Sequence, residues 1–168
     1  ICSGQFSTSG TGFMSRGNNH PKSSHDTAPK RRTLVLTSDL DWAPDYVLED
    51  ALELFDSCGV PVTILATHET SLLNGLDRSR YEVGIHPDFN QLLAGGGGTS
   101  HTVVESLLEI FPEAVCVRAH CLTESTRILN IYAEMGLRYD LTQFRPYEPD
   151  LRPYQFVNGL IRVPFNWA

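Results

Sequence analysis

Short apolar runs alternate with amphipathic stretches from residue 33 to the end of the chain, and most runs terminate on a carboxylate, an arginine or a histidine. This alternation constrains the fold more than any other feature. Strands separated by helices pair in parallel through right-handed crossovers, which gives an α/β barrel or an open sheet. Either arrangement puts the carboxyl ends of the strands on one rim, where ligands bind and chemistry is placed. The runs predict strands at 33–39, 62–66, 81–85, 114–119, 137–141 and 159–164. A helix is expected from residue 44 to 58, with Val47, Leu48, Ala51, Leu52 and Phe55 as its apolar stripe and Gly59 as its cap. Leu72, Leu73 and Leu76 suggest a short helix. Thr102 and Glu105 have the spacing of a capping box before Val103, Val104, Leu107, Leu108 and Phe111. A last helix is expected over 123–135, with Gly136 as its stop.

The 168 residues suffice for one domain, assigned to 32–168, after a tail over 1–31 that is rich in Ser, Gly, Thr, Asn and Pro and reads as disordered. His20 and His25 fall in that tail and read as incidental. The formal charge of −7 argues against a nucleic-acid partner, and the one basic cluster, Lys30 to Arg32, reads as a solvated lead-in. No apolar run reaches membrane-spanning length. Cys2, Cys58, Cys116 and Cys121 show no CxxC pairing and read as free thiols. With no signal peptide visible at the first residues, the expected compartment is cytoplasmic. Gly95 to Gly98 lack the Lys-Ser/Thr ending of a phosphate loop, so nucleotide binding is rejected there.

The stretch TLVLTSDLDWAPD, residues 33–45, carries two acids one residue apart at a strand end. Strand alternation would put Thr37, Asp39 and Asp41 on one face and Leu36, Ser38 and Leu40 on the other. Two carboxylates on one face repel each other unless a cation or proton lies between them. A solvated acidic helix-start loop is the structural alternative. The other strand ends contribute His68, His86, Arg118, His120 and Asp140. Carboxylate and imidazole together suit zinc or a related divalent ion. Any one of these histidines alone is more often a hydrogen-bonded structural residue.

These residues resemble the motifs of the polysaccharide deacetylases of the NodB-homology group, carbohydrate esterase family 4, and especially its WbmS-like branch. Thr37-Ser38-Asp39-Leu40-Asp41 is similar to the motif carrying a base Asp and a metal-binding Asp. Gly84-Ile85-His86-Pro87 is similar to the start of the metal-histidine motif, and Val117-Arg118-Ala119-His120 to the motif whose Arg holds the base. Asp140 falls where a later strand-end acid belongs. The resemblance implies a distorted α/β barrel, incomplete at its C-terminal end, and a metal-dependent hydrolase that removes N-acetyl groups from a sugar or polysaccharide. It implies Asp41 and His86 as ligands of a divalent ion, Zn2+ being the expected one, Asp39 as general base and Arg118 as the residue that orients it.

The pattern departs from the family in three places. Leu40 separates two aspartates that are usually adjacent. Asn90 stands where the second metal histidine is usual, so a replacement ligand is needed; His120 and His101 are the candidates, with alternation from Arg118 favouring His120. The final motif, whose His acts as general acid, is not found. His120 therefore has two competing roles, ligand and acid. Two other readings stay open: a metallohydrolase acting on a non-sugar amide or ester, and a non-catalytic relative that binds metal or glycan. Trp42, Phe89 and Trp167 are the aromatics that would suit a sugar face if they line the mouth.

Overall fold

The computed structural model describes residues 34–167. The expected tail over 1–31, with Cys2, His20 and His25, lies outside the described residues. The elements are β1 (Leu36–Asp39), α1 (Asp45–Cys58), β2 (Val62–Ala66), α2 (Ser71–Asn74), β3 (Tyr81–Ile85), α3 (Asn90–Leu93), α4 (Ser100–Ile110), β4 (Cys116–Val117), α5 (Thr126–Glu134), β5 (Tyr139–Asp140), β6 (Tyr154–Gln155) and β7 (Ile161–Arg162). The seven strands form one sheet in the order β1-β2-β3-β4-β5-β7-β6. All neighbours are parallel except β6, which runs antiparallel to β7.

The expected barrel is not closed: β1 and β6 end the strand order as its two edges. Antiparallel β6 breaks the β–α–β repeat that would carry the sheet round. The sheet is nevertheless strongly curled. In a flat sheet β1 and β4 would lie three strand spacings apart, about 14 Å. Yet the side chain of Arg118, just past β4, reaches Asp39 and Thr37 of β1 at 2.8 and 2.7 Å.

The register separates two faces. Thr37 and Asp39 stand beside Thr63 and Leu65, and these beside Glu82 and Gly84, on the inner face. The small apolar cluster of Leu65, Cys116 and Leu141, with Tyr139 and Val163 against it, fills that face below the functional side chains. On the outer face Val62, Ile64 and Ala66 pack with Leu48 and Leu73 of α1 and α2. Ile85 and Val117 pack there with Val104 and Leu107 of α4 and with Ile128, Leu129 and Tyr132 of α5.

Local chemistry explains the helix boundaries. Gly59 adopts φ 65°, and its N–H closes on the carbonyls of Phe55 and Asp56, ending α1. Within the expected stripe Leu48 is buried, whereas Val47 is exposed. The capping box of α4 lies three residues upstream of the expected one. Thr99 is the N-cap and accepts from Thr102 N, while the Thr102 hydroxyl accepts from Thr99 N. Ser125 caps α5 by accepting from Ile128 N. No helix among the described residues is long and apolar enough to cross a membrane. Cys58, Cys116 and Cys121 are free thiols.

Candidate metal centre

At the carboxyl ends of β1, β3 and β4, Asp41, His86 and His120 come together, each offering one ligand atom, all within 4.8 Å of one another. Asp41 Oδ1 lies 3.2 Å from His86 Nε2 and 2.8 Å from His120 Nδ1, and the two ring nitrogens are 3.3 Å apart. Asp41 does not arrive by strand alternation. β1 stops at Asp39, and Asp41 and Trp42 adopt the left-handed region at φ 43° and 56°. The turn is closed by Ala43 N donating to Leu40 O and by Trp42 N donating to Thr67 Oγ1 at 2.9 Å. Leu40, inserted between the acids, is buried with the α1 side of the core, and that anchors the turn.

His86 is almost fully buried, and its Nδ1–H donates to the Arg118 carbonyl at 2.7 Å. A carbonyl can only accept, so in the neutral ring Nε2 carries the lone pair and faces Asp41 Oδ1. Burial pushes the His86 pKa below its ordinary value, against the opposing pull of Asp39 and Asp41. His120 follows β4 in a 3-10 turn, His120–Leu122, with its N–H donating to Pro87 O at 2.9 Å. Its ring meets those of Trp42 and His86 edge-on, at centroid distances of 5.1 and 5.3 Å.

Asp39 adjoins this group. Its Oδ1 accepts from Arg118 Nη1 at 2.8 Å, and its Oδ2 lies 4.0 Å from His86 Nε2. Arg118 is buried and fully engaged: Nη2 donates to Thr37 Oγ1, Nε to Leu141 O, and the guanidinium lies 4.4 Å over the Phe165 ring. Thr37 thus helps to hold the guanidinium that in turn orients the Asp39 carboxylate.

The donor set suits a divalent cation. Ligand atoms about 2.0–2.2 Å from a tetrahedral ion lie about 3.4 Å from each other. The three separations of 2.8, 3.2 and 3.3 Å are close to one face of that tetrahedron. A neutral imidazole lone pair set against a carboxylate oxygen is also unfavourable until a cation or proton joins them.

The other residues singled out by sequence go elsewhere. His101, the competing third ligand, is on α4 beside Glu105 at 3.7 Å and outside the cluster, because the earlier start of α4 makes it the second helical residue. His68 meets Thr67 Oγ1 at 3.0 Å. Asn90 begins α3 and donates to Cys121 Sγ at 3.6 Å. Asp140 faces away from the site: its register with Val117 puts it on the outer face, where it accepts from Arg162 Nε at 2.7 Å. Phe89 belongs to the core, while Trp42 and Trp167 are exposed. Sequence reasoning missed Thr67, Thr142 and Phe165. Thr67 and Thr142 act through hydroxyl bonds to backbone N–H groups that no spacing announces.

The sequence and fold have counterparts among known proteins. The family described as WbmS-like polysaccharide deacetylase matches residues 36–168. The chain is similar to the crystal structure of a candidate polysaccharide deacetylase involved in O-antigen biosynthesis from Bordetella bronchiseptica, with 40% identity and a TM-score of 0.75. That match covers 79% of this chain and 57% of the Bordetella chain. A candidate polysaccharide deacetylase from Mycobacterium smegmatis shares the fold at 20% identity and a TM-score of 0.55, over 79% of this chain and 58% of its own. No curated protein matches. The chain therefore spans less than two thirds of either solved relative, and within that span it belongs to the WbmS-like polysaccharide deacetylase family.

Proposed function

We propose that the chain is a metal-dependent deacetylase that hydrolyses N-acetyl groups on a sugar or polysaccharide precursor, with Asp41, His86 and His120 as ligands and Asp39 as general base. One observation carries this reading. A three-atom ligand face adjoins a carboxylate that has one oxygen tied to a buried arginine and the other turned toward that face. When bound there, a divalent cation such as Zn2+ supplies water acidified to near-neutral pKa and a Lewis acid for the acyl oxygen.

The chain's own residues perform the remaining work. Asp39 Oδ2 accepts a proton from the attacking water, while Arg118 prevents the carboxylate from rotating away. His86 presents Nε2 in one tautomer because its Nδ1–H is held by a main-chain carbonyl. His120 has Nδ1 at the ligand face, which favours the ligand role over the acid role. The protonated Asp39 carboxyl is then the group left to return a proton to the leaving nitrogen. The water oxygen bonds to the acyl carbon, the carbon–nitrogen bond breaks, and acetate and a free amine result. Family membership and the Bordetella relative's involvement in O-antigen biosynthesis support a sugar substrate. Exposed Trp42 beside His120 is consistent with a pyranose ring at the mouth.

Acetate release from N-acetylated amino sugars and oligosaccharides tests the reading. The full chain is assayed after chelation and again after adding Zn2+ or Co2+. Activity should vanish on chelation and return with metal. A chain that binds metal at Asp41, His86 and His120 yet releases no acetate from any of these saccharides would instead be a binding relative without turnover.

A further inference from the structure

The segment carrying His120 has little regular structure to hold it. β4 ends at Val117, and within the following 3-10 turn Cys121 and Leu122 both lie in the left-handed region at φ 53°. Neither is a glycine, so the turn does not keep this shape through local preference. It is tied on both sides to one buried cluster of charges. Upstream, Ala119 N donates to Thr142 Oγ1 at 3.1 Å, and Thr142 N donates to Asp140 Oδ1 at 3.2 Å. Downstream, Glu124 accepts from Arg162 Nη2, and Arg162 Nε donates to Asp140 Oδ2 at 2.7 Å. Asp140 is 0% and Arg162 4% exposed, so both charges depend on these partners. The two flanks of His120 thus converge on one ion pair, carried by neighbouring strands β5 and β7.

From this convergence we infer that Thr142 and Glu124, anchored on Asp140 and Arg162, are positioning residues that set the His120 ring for metal binding. The inference rests on the ligand reading above. Thr142 holds the N–H of Ala119, the residue before His120, and Glu124 holds the chain four residues after it. Neither touches the ligand face. They act by removing the freedom of a strained turn that is tied to the rest of the fold by the His120 N–H on the Pro87 carbonyl and by the Asn90 amide on Cys121 Sγ.

The test is Zn2+ titration of the full chain after chelation, with Co2+ absorption as a second readout of coordination. The variants are Thr142→Val, Thr142→Ser and Glu124→Gln, with His86→Ala as control. Thr142→Val keeps the shape but removes the acceptor for Ala119 N, and Glu124→Gln removes the charge at a half-exposed position while leaving Arg162 its pair with Asp140. Both should weaken Zn2+ binding by about 10–100-fold and alter the Co2+ spectrum. Thr142→Ser should bind as the parent does, and the melting temperature without metal should change little in Glu124→Gln. Parent-like Zn2+ affinity in both Thr142→Val and Glu124→Gln overturns the inference. So does equal weakening in Thr142→Val and Thr142→Ser. Should Thr142→Val fail to fold, Glu124→Gln decides alone. If the parent chain itself takes up no Zn2+, or if His86→Ala binds as the parent does, the ligand reading fails first and takes this inference with it.

Discussion

Asp39 has one oxygen committed and one free, and that asymmetry separates it from Asp41, whose Oδ1 faces two imidazoles at once. Substitution should therefore affect the two positions differently. Asp39→Asn keeps the side chain's shape and leaves the ligand face intact, so metal content should hold while kcat falls about 10²–10⁴-fold. His86→Ala removes a buried ligand, and His120→Ala removes its partner across Asp41. Each should lower metal content, and His101→Ala should not, because His101 is half-exposed on α4 beside Glu105. Metal analysis and acetate release on the four purified variants check this together. Loss of metal in Asp39→Asn would make Asp39 a ligand rather than a base. The sequence placed both acids at the site, but by the wrong route. Strand alternation assumed that β1 continued to Asp41, whereas two left-handed residues turn the chain there. Asp enters that region more readily than most residues, but nothing in the residue type of Trp42 signals it.

Among the elements, those with long apolar periodicity were legible: β2, β3 and α1 lie where the pattern put them, to within a residue. The two-residue strands β4 to β7 were less so, because so short a ladder is set by its neighbours rather than by its own side chains. β6 lies in a Pro-rich connection that reads as loop, and α3 is a single turn leading into the glycine run. Asp140 shows the limit of collecting strand-end residues: one step of register turned it to the helix-covered side. Gly84 is the element-scale feature whose need appears only in three dimensions. A Cβ there would stand 2.6 Å from the Cys116 carbonyl oxygen and 2.4 Å from Cys116 Sγ. The side chain could rotate, but the backbone of β4 could not without parting from β3. Gly84→Ala should therefore destabilise the fold by about 1–3 kcal/mol. Urea unfolding measures this, and a parent-like midpoint would mean that the β3–β4 approach is looser than described. Because His86 is two residues on, just past the end of the same strand, the variant should also bind Zn2+ more weakly.

For the whole molecule, the curl of the sheet creates an inner face with polar groups at the rim and a small apolar cluster beneath them, and Cys116 lies in that cluster. Burial pushes its thiol from an ordinary 9.0 up to about 12, and nearby Glu82 adds to the shift. The consequence for stability has a definite sign. Below pH 9 the thiol is protonated in both the folded and the unfolded chain and contributes no pH dependence. Between pH 9 and about 12 the unfolded chain releases the proton while the folded chain retains it. The unfolded state then binds fewer protons, so stability falls as pH rises, by up to about 1.4 kcal/mol per pH unit. Burial also raises Tyr81 and Tyr132, which add the same sign at higher pH. Exposed Cys58 and Cys121 are present in parent and variant alike and cancel in the comparison. Urea unfolding of the parent and of Cys116→Ala, at pH 8, 9.5 and 10.5, isolates the effect. At pH 8 the variant should be the less stable, having lost buried volume. Toward pH 10.5 its stability should fall less steeply than the parent's, so that the gap narrows. Parallel declines across the three pH values would show that the thiol ionises as readily in the folded chain as in the unfolded one, and that water reaches the inner face beneath the site.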